Sequence, residues 1–445
     1  APTAARAAAA TATPTAAPTA RPDAYLVPVT RFGSPRDEVR LGELREVLVL
    51  AGWEDEVRAL LPGASVTAMS AADAILEEVR TATDAIALLP PERVDASVRT
   101  LSVDGAFFWD RGLDLARYPL RVAGRGTADP ERSGLWELVA GGGIVFGRGV
   151  QERIENRHGG DARPVFADVR ALTRGADLAV ATLEAPLSGD ANRYCDRCLR
   201  FVGNERYVAA LVDAGFDVLS LAANHIGDAG PQGVLDTMRV LDGAGIRHVG
   251  AGATEDAARR PLFTEVRGLR VAFLAYDDVA PQEYAATTDR PGHAWLAHDD
   301  PTYARVRAEV AAAKQRADLV VVVAHWGVEY EDQPRPWVVA AARAMVEAGA
   351  AVVIGDHPHW VQPVERYRGA YVAYSLGNFV FDQMWSARTR QGSLHRLWFD
   401  RGRLVSVRIV PTVLEDYYRP RPLDPTEPTH REVLERILRH SSLGG

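Results

Sequence analysis

Lysine is all but missing from this 445-residue chain: Lys314 is the only one, and the other fifty basic residues are arginine. Asparagine is nearly as scarce, at Asn156, Asn192, Asn204, Asn224 and Asn378. A GC-rich genome explains this better than heat adaptation, because arginine-for-lysine exchange is not a general thermostability signature. An asparagine kept inside a motif is therefore informative. Cysteine is limited to Cys195 and Cys198, which excludes a disulfide scaffold. A basic surplus is absent as well. The 51 basic residues face 59 acidic ones, a net charge of -8, which argues against a nucleic-acid partner. No run of 18 apolar residues occurs, so the chain as given carries no membrane-spanning helix.

What is present is ordinary globular material, 47% hydrophobic and 25% charged, enough for two or three domains. Residues 1–22 are Ala, Thr and Pro with almost no large apolar side chain. Such a segment cannot offset its ordering entropy, so a disordered linker is expected. A Met-less start with this spacer fits an exported protein, secreted or anchored to a membrane by a segment missing from the sequence.

Residues 23–134 read as a separate α/β unit, with strand-length runs at Tyr25–Val29, Val47–Leu50 and Ala85–Leu89 and helical patterns between them. Its layout weakly resembles one lobe of a periplasmic binding protein, and it is expected to be accessory. Residues 135–415 carry further apolar runs, several of them continuous, as in sheets covered on both faces. A mixed α/β sandwich with a β-rich later half is expected, followed by a C-terminal extension over 416–445. The later unit is expected to fold alone from about residue 135.

Polar residues recur just past the ends of those runs: Glu184, then Asn224 and His225, then His325, then His357 and His359. In α/β sheets that edge is where ligands bind. One strand-end histidine is usually structural. Four of them with a Glu and an Asn form a borderline-to-hard ligand set suited to zinc, manganese or iron.

The segments EAPLSGD, FDVLSLAANHIGDAG, VVVVAHWGVEY and GAAVVIGDHPHWVQPVERYRGAYVAYSLGNFVFDQ resemble the CapA family of poly-gamma-glutamate capsule proteins. That family is similar to the calcineurin-like metallophosphoesterases, and the resemblance covers roughly 136 to 415. It implies a four-layer αββα sandwich. It also implies that Glu184 is the bridging carboxylate, that Asn224, His325 and His357 bind the second metal, and that His359 binds the first. His225 is implied as the catalytic proton donor. The family's first-strand Asp-x-His is replaced by Gly143 and Val145, which cannot ligate. Four ligands remain for one ion and too few for another, so one divalent ion (Zn, Mn or Fe) is expected. Gly143→Asp would then restore affinity for a second ion. The alternative is a decayed site.

Arg148 is a candidate for holding an anionic substrate. Asn378 is a candidate for the substrate or for orienting the metal histidines. The resemblance also implies that Arg390 matches a recurring basic position of the family.

The implied role is in synthesis or export of an anionic capsule polymer, with membrane-embedded synthesis or export partners. The alternatives are a single-metal hydrolase of small phosphoesters and a non-catalytic anion-binding protein. Cys195 and Cys198, two residues apart in a loop, should be disulfide-bonded outside the cytosol. Intact mass with and without reductant tests this: a rise of two protons on reduction is expected, and freely alkylating thiols in native protein would contradict it.

Overall fold

A computed structural model describes residues 22–126, 132–189, 201–297, 300 and 302–439. The linker reading and the two cysteines fall outside these residues.

The first unit is a five-stranded sheet ordered Ser65–Met69, Glu46–Leu50, Ala87–Leu89, Val27–Arg31, Val98–Thr100. The first three strands run parallel, and Val27–Arg31 is antiparallel to both of its neighbours. Helices Glu54–Leu60 and Ala72–Thr81 provide the crossovers that parallel strands need. A two-strand clasp, Ala24–Tyr25 on Arg121–Val122, joins the unit's ends.

The rest of the chain is a sandwich of two sheets. One has eight strands, with Leu135–Ile144 near its centre between Leu178–Leu183 and Gln391–Asp400. The other has six, with Leu319–His325 between Leu269–Asp277 and Val352–Asp356. The alternation of side chains explains why these strands are apolar throughout. Val321 and Val323 join Trp136, Leu138 and Val180 in the core between the sheets. Val320 and Val322 face outward, onto helices Ala304–Lys314 and Pro336–Glu347. Val139, Ala179 and Ala181 likewise face helices Arg148–His158, Val208–Ala214 and Gly230–Gly243. The layers are therefore helix, sheet, sheet, helix, as the resemblance implied.

Three features differ from the sequence reading. Arg148–His158 is a helix, seated by Val150 and Ile154 one turn apart, although its other residues are mostly polar. Residues beyond 415 belong to the sandwich: Arg419–Pro422 pairs with Arg403–Glu415, and Val433, Leu434 and Ile437 of helix Pro428–Leu438 enter the central core.

The third concerns the junction between the two units. Leu135, Trp398 and Val405 of the sandwich belong to the apolar core of the first unit. Trp398 is 2% exposed and meets Phe107 edge to face at 4.8 Å. Arg408 donates to Ser102 Oγ at 2.9 Å and stacks over Phe107. A fragment starting near residue 135 would expose this surface, so it is expected to aggregate where the full chain stays soluble. Trp398→Ala should cost about 3–5 kcal/mol and lower a single thermal transition of the whole chain. Two resolved transitions in the unmodified protein would contradict a shared core.

Candidate metal and acid–base site

The carboxyl ends of strands from both sheets meet at one edge. Glu184 follows Leu178–Leu183, His325 closes its strand, and His357 follows Val352–Asp356. Asn224 lies on the loop after Val218–Ser220. The two sheets touch here: His325 Nε2 lies 3.1 Å from Asn224 Oδ1 and 3.9 Å from Glu184 Oε1. The rings of His325 and His357 are 4.9 Å apart, and those of His357 and His359 are 5.6 Å apart. The structure thus brings the five expected ligands together, with His225 beside them on the Asn224 loop.

Each histidine with a polar neighbour is oriented by it. His325 Nδ1 is 2.7 Å from Asp356 Oδ1, which leaves Nε2 facing Asn224 and Glu184. His359 Nδ1 is 2.9 Å from Asn378 Oδ1, and His225 Nδ1 is 2.9 Å from Asp228 Oδ2. Holding one ring nitrogen in this way fixes the tautomer and frees the other nitrogen for chemistry. Burial alone would lower the His325 pKa, but the charges of Asp356, Glu184 and Asp277 outweigh it and push it up to about 9. His357 has no carboxylate partner. Burial and the neighbouring histidines drive it well below the ordinary range, so it is neutral. Asp278 is pushed up to about 8 by burial, with Asp277 adding to the rise.

The backbone is strained at the same place. His357, His359, Tyr330 and Arg148 have φ of 91°, 59°, 62° and 45°. Left-handed conformations at such residues cost about 1–3 kcal/mol each and cluster at functional sites.

The two substrate candidates have structural partners. Arg148 is committed to Asp382, with Nε 3.1 Å from Oδ2, and its guanidinium lies 4.5 Å from the Phe201 ring. Asn378 is 4% exposed; besides His359 it bonds the Gln383 side chain and the Thr389 carbonyl. Among the described residues, the Arg390 side chain reaches only the Leu414 carbonyl, at 3.4 Å. Sequence reasoning did not identify Asp228, Asp356 or Glu329. Asp228 was signalled by its place three residues after His225. Glu329, 3.5 Å from His359 Nε2, has its carboxyl held below the usual range, chiefly by that histidine.

Among the described residues, no three His, Cys, Asp or Glu side chains already surround one point. The fourth donor here is an amide oxygen, and the side chains lean on one another. The set nevertheless fits a divalent ion. Glu184 Oε1 and His357 Nδ1 are buried with no hydrogen-bond partner among the described residues, a costly arrangement unless something else contacts them.

Gly143 explains the shape of the site. A Cβ there would lie 2.3 Å from Glu184 Oε2. The glutamate's carboxylate occupies the space that a side chain on the first strand would need. Gly143→Asp should therefore displace Glu184 and weaken divalent-ion binding by ~10-fold or more, rather than add a second ion as the sequence suggested. Calorimetric titration with manganese decides it, and a stoichiometry rising to two would contradict the steric account.

Residues 137–383 match the family model described as "Bacterial capsule synthesis protein PGA_cap". The capsule biosynthesis protein CapA of Bacillus anthracis is 38% identical over 256 residues, covering 57% of this chain and 61% of that protein. The PGA biosynthesis protein CapA of Bacillus subtilis (strain 168) is 37% identical over 255 residues, with 57% and 65% covered. A Mycobacterium tuberculosis (strain H37Rv) protein named "Probable polyglutamine synthesis accessory protein" is 32% identical over 280 residues, covering 59% and 73%. The chain thus spans less than two thirds of the length of the two Bacillus proteins. Among solved structures, a hypothetical protein from Thermus thermophilus is similar at a TM-score of 0.39 and 16% identity, covering 62% of this chain and 98% of that one. The NAD nucleotidase NadN of Haemophilus influenzae is similar at a TM-score of 0.38 and 11% identity, covering 70% and 57%.

Proposed function

This chain belongs to the bacterial capsule synthesis protein family PGA_cap, and on that premise we propose that it acts outside the cytoplasm in making or exporting poly-gamma-glutamate, through a site holding one divalent metal ion. The observation that carries the metal reading is the pair of buried, unpartnered donors Glu184 Oε1 and His357 Nδ1 beside the preoriented His325 Nε2. Glu184, Asn224, His325 and His357 would hold the ion. Bound there, a zinc, manganese or iron ion would supply Lewis-acid polarisation of a substrate oxygen.

The chain's own residues do the rest. Asp356 keeps the His325 ring in place, and Asn378 does the same for His359. Asp228 holds His225 by one nitrogen, so the other can give a proton to a leaving group. This His–Asp pair supports a hydrolytic or transfer reaction at the site. The substrate on this reading is an anionic polymer, and its partners are the membrane-embedded proteins of polymer synthesis and export. The same pair also supports a second substrate, a small phosphoester, since the chemistry at the leaving group is shared.

Elemental analysis after reconstitution with zinc, manganese or iron should find about one ion per chain. His357→Ala should abolish binding and His359→Ala should keep most of it. On a γ-glutamyl oligomer or an aryl phosphate, His225→Ala should lower kcat by ~10²-fold or more at unchanged metal content. Two ions per chain, no ion, or an unchanged rate in the His225 variant would each overturn the corresponding assignment.

A further inference from the structure

An outer strand of a sheet is a template for a further strand, and proteins usually block such edges with charge or proline. Among the described residues, each of the three larger sheets has two outer strands. All but one of these follow the rule. Arg247–Val249 begins with an arginine, and Arg419–Pro422 alternates arginine with proline. Leu262–Val266 holds Glu265, Val364–Tyr367 holds Glu365 and Arg366, and Val98–Thr100 holds Arg99. Ser65–Met69, at the edge of the first unit, has neither charge nor proline. Its chain neighbours Gly63, Ala64, Ser70, Ala71 and Ala72 are also small and uncharged, in a chain that is 25% charged.

This edge is open as well as unguarded. Ser65, Thr67 and Ala68 are exposed, and Val66 and Met69 are half-buried. The strand pairs with Glu46–Leu50 in unbroken register, so no bulge turns it aside. Ser65 donates its N–H to the Arg45 carbonyl at 2.7 Å, and the Met69 carbonyl accepts from Ala51 at 2.9 Å. Alternate residues of a strand bond to opposite sides. The backbone groups of Ser65, Thr67 and Met69 therefore face the neighbouring strand, and those of Val66 and Ala68 point away from the sheet.

We propose that Ser65–Met69 is a dimer edge, on which the same strand of a second copy pairs antiparallel about a two-fold axis at Thr67. A two-fold interface must complement itself, and this strand does. The axis sets Val66 against Ala68 of the second copy, and Ala68 against the second copy's Val66. Both residues point outward, so each pairing exchanges both of its backbone hydrogen bonds. Thr67 faces its own copy, a cross-strand pair that adds stability, and Ser65 faces Met69. No charge meets a like charge, which is the ordinary obstacle to self-pairing, and a charged foreign strand would find no counter-charge. A ribbon of this size is small for a protein interface, so the affinity is modest and the dimer reversible. The pairing joins two five-stranded sheets into one and gives the first unit a role in holding two sandwiches together. It is independent of the metal-site reading.

Sedimentation velocity of the full chain, from about 1 to about 200 μM to cover the range of weak interfaces, tests the proposal. The mass should rise from one chain towards two across that range. Thr67→Glu places two carboxylates face to face at the axis, and Val66→Pro removes an outward N–H at an edge, where proline is tolerated. Each should raise the dimer dissociation constant by about tenfold or more with unchanged far-ultraviolet dichroism. Thr67 is exposed, so its variant keeps the test informative if Val66→Pro folds poorly. A chain that stays monomeric at every concentration overturns the proposal. So does a dimer that Thr67→Glu leaves intact, because its contact would lie elsewhere.

Discussion

Carboxylates and imidazoles buried together must neutralise one another or share a bound cation, and this constraint shapes the strand-end edge of the sandwich. Glu184, Asp277, Asp356, His325 and His357 are all 6% exposed or less. Removing one partner of a buried pair leaves an uncompensated group, at a cost of about 3–5 kcal/mol. Asp356 and His325 satisfy each other directly, across neighbouring strands in register. His357 remains neutral, and Glu184 keeps an oxygen with no hydrogen-bond partner among the described residues. The Glu184 carboxylate, bordered by a neutral imidazole and an amide oxygen, therefore favours positive charge beside it. A divalent ion held there, as proposed, would complete the balance.

Much of this was legible in the sequence. The run LVVVVA announced a strand covered on both faces, and the polar residues that ended such runs announced the edge. The rest was hidden for identifiable reasons. Asp356 was not singled out because its partner His325 lies on the adjacent strand, which one-strand periodicity does not report. Arg148 read as a free cation because Asp382, 234 positions away, could not be placed beside it. Gly143 read as a missing ligand, since a sequence records no volume. In the fold, Glu184 fills the space that a first-strand side chain would take. The helix Arg148–His158 escaped notice because only two of its residues, Val150 and Ile154, are buried.

The first unit was read as an accessory to the sandwich, and the two are packed on a common core. Trp398 and Val405 come from a hairpin of the sandwich, yet they lie among the apolar residues of the first unit. That hairpin turns at Arg401 and Gly402, with Arg401 at φ 56°. One turn thus connects the central sheet and the shared core. A family relationship that spans residues 137–383 leaves this junction outside its reach for the first unit's residues.

Anomalous diffraction at the manganese edge, from crystals grown with that ion, tests the central claim most directly. The account predicts one peak per chain, enclosed by Glu184, Asn224, His325 and His357. Two peaks, or a single peak against His359 with Glu184 turned away, would contradict it.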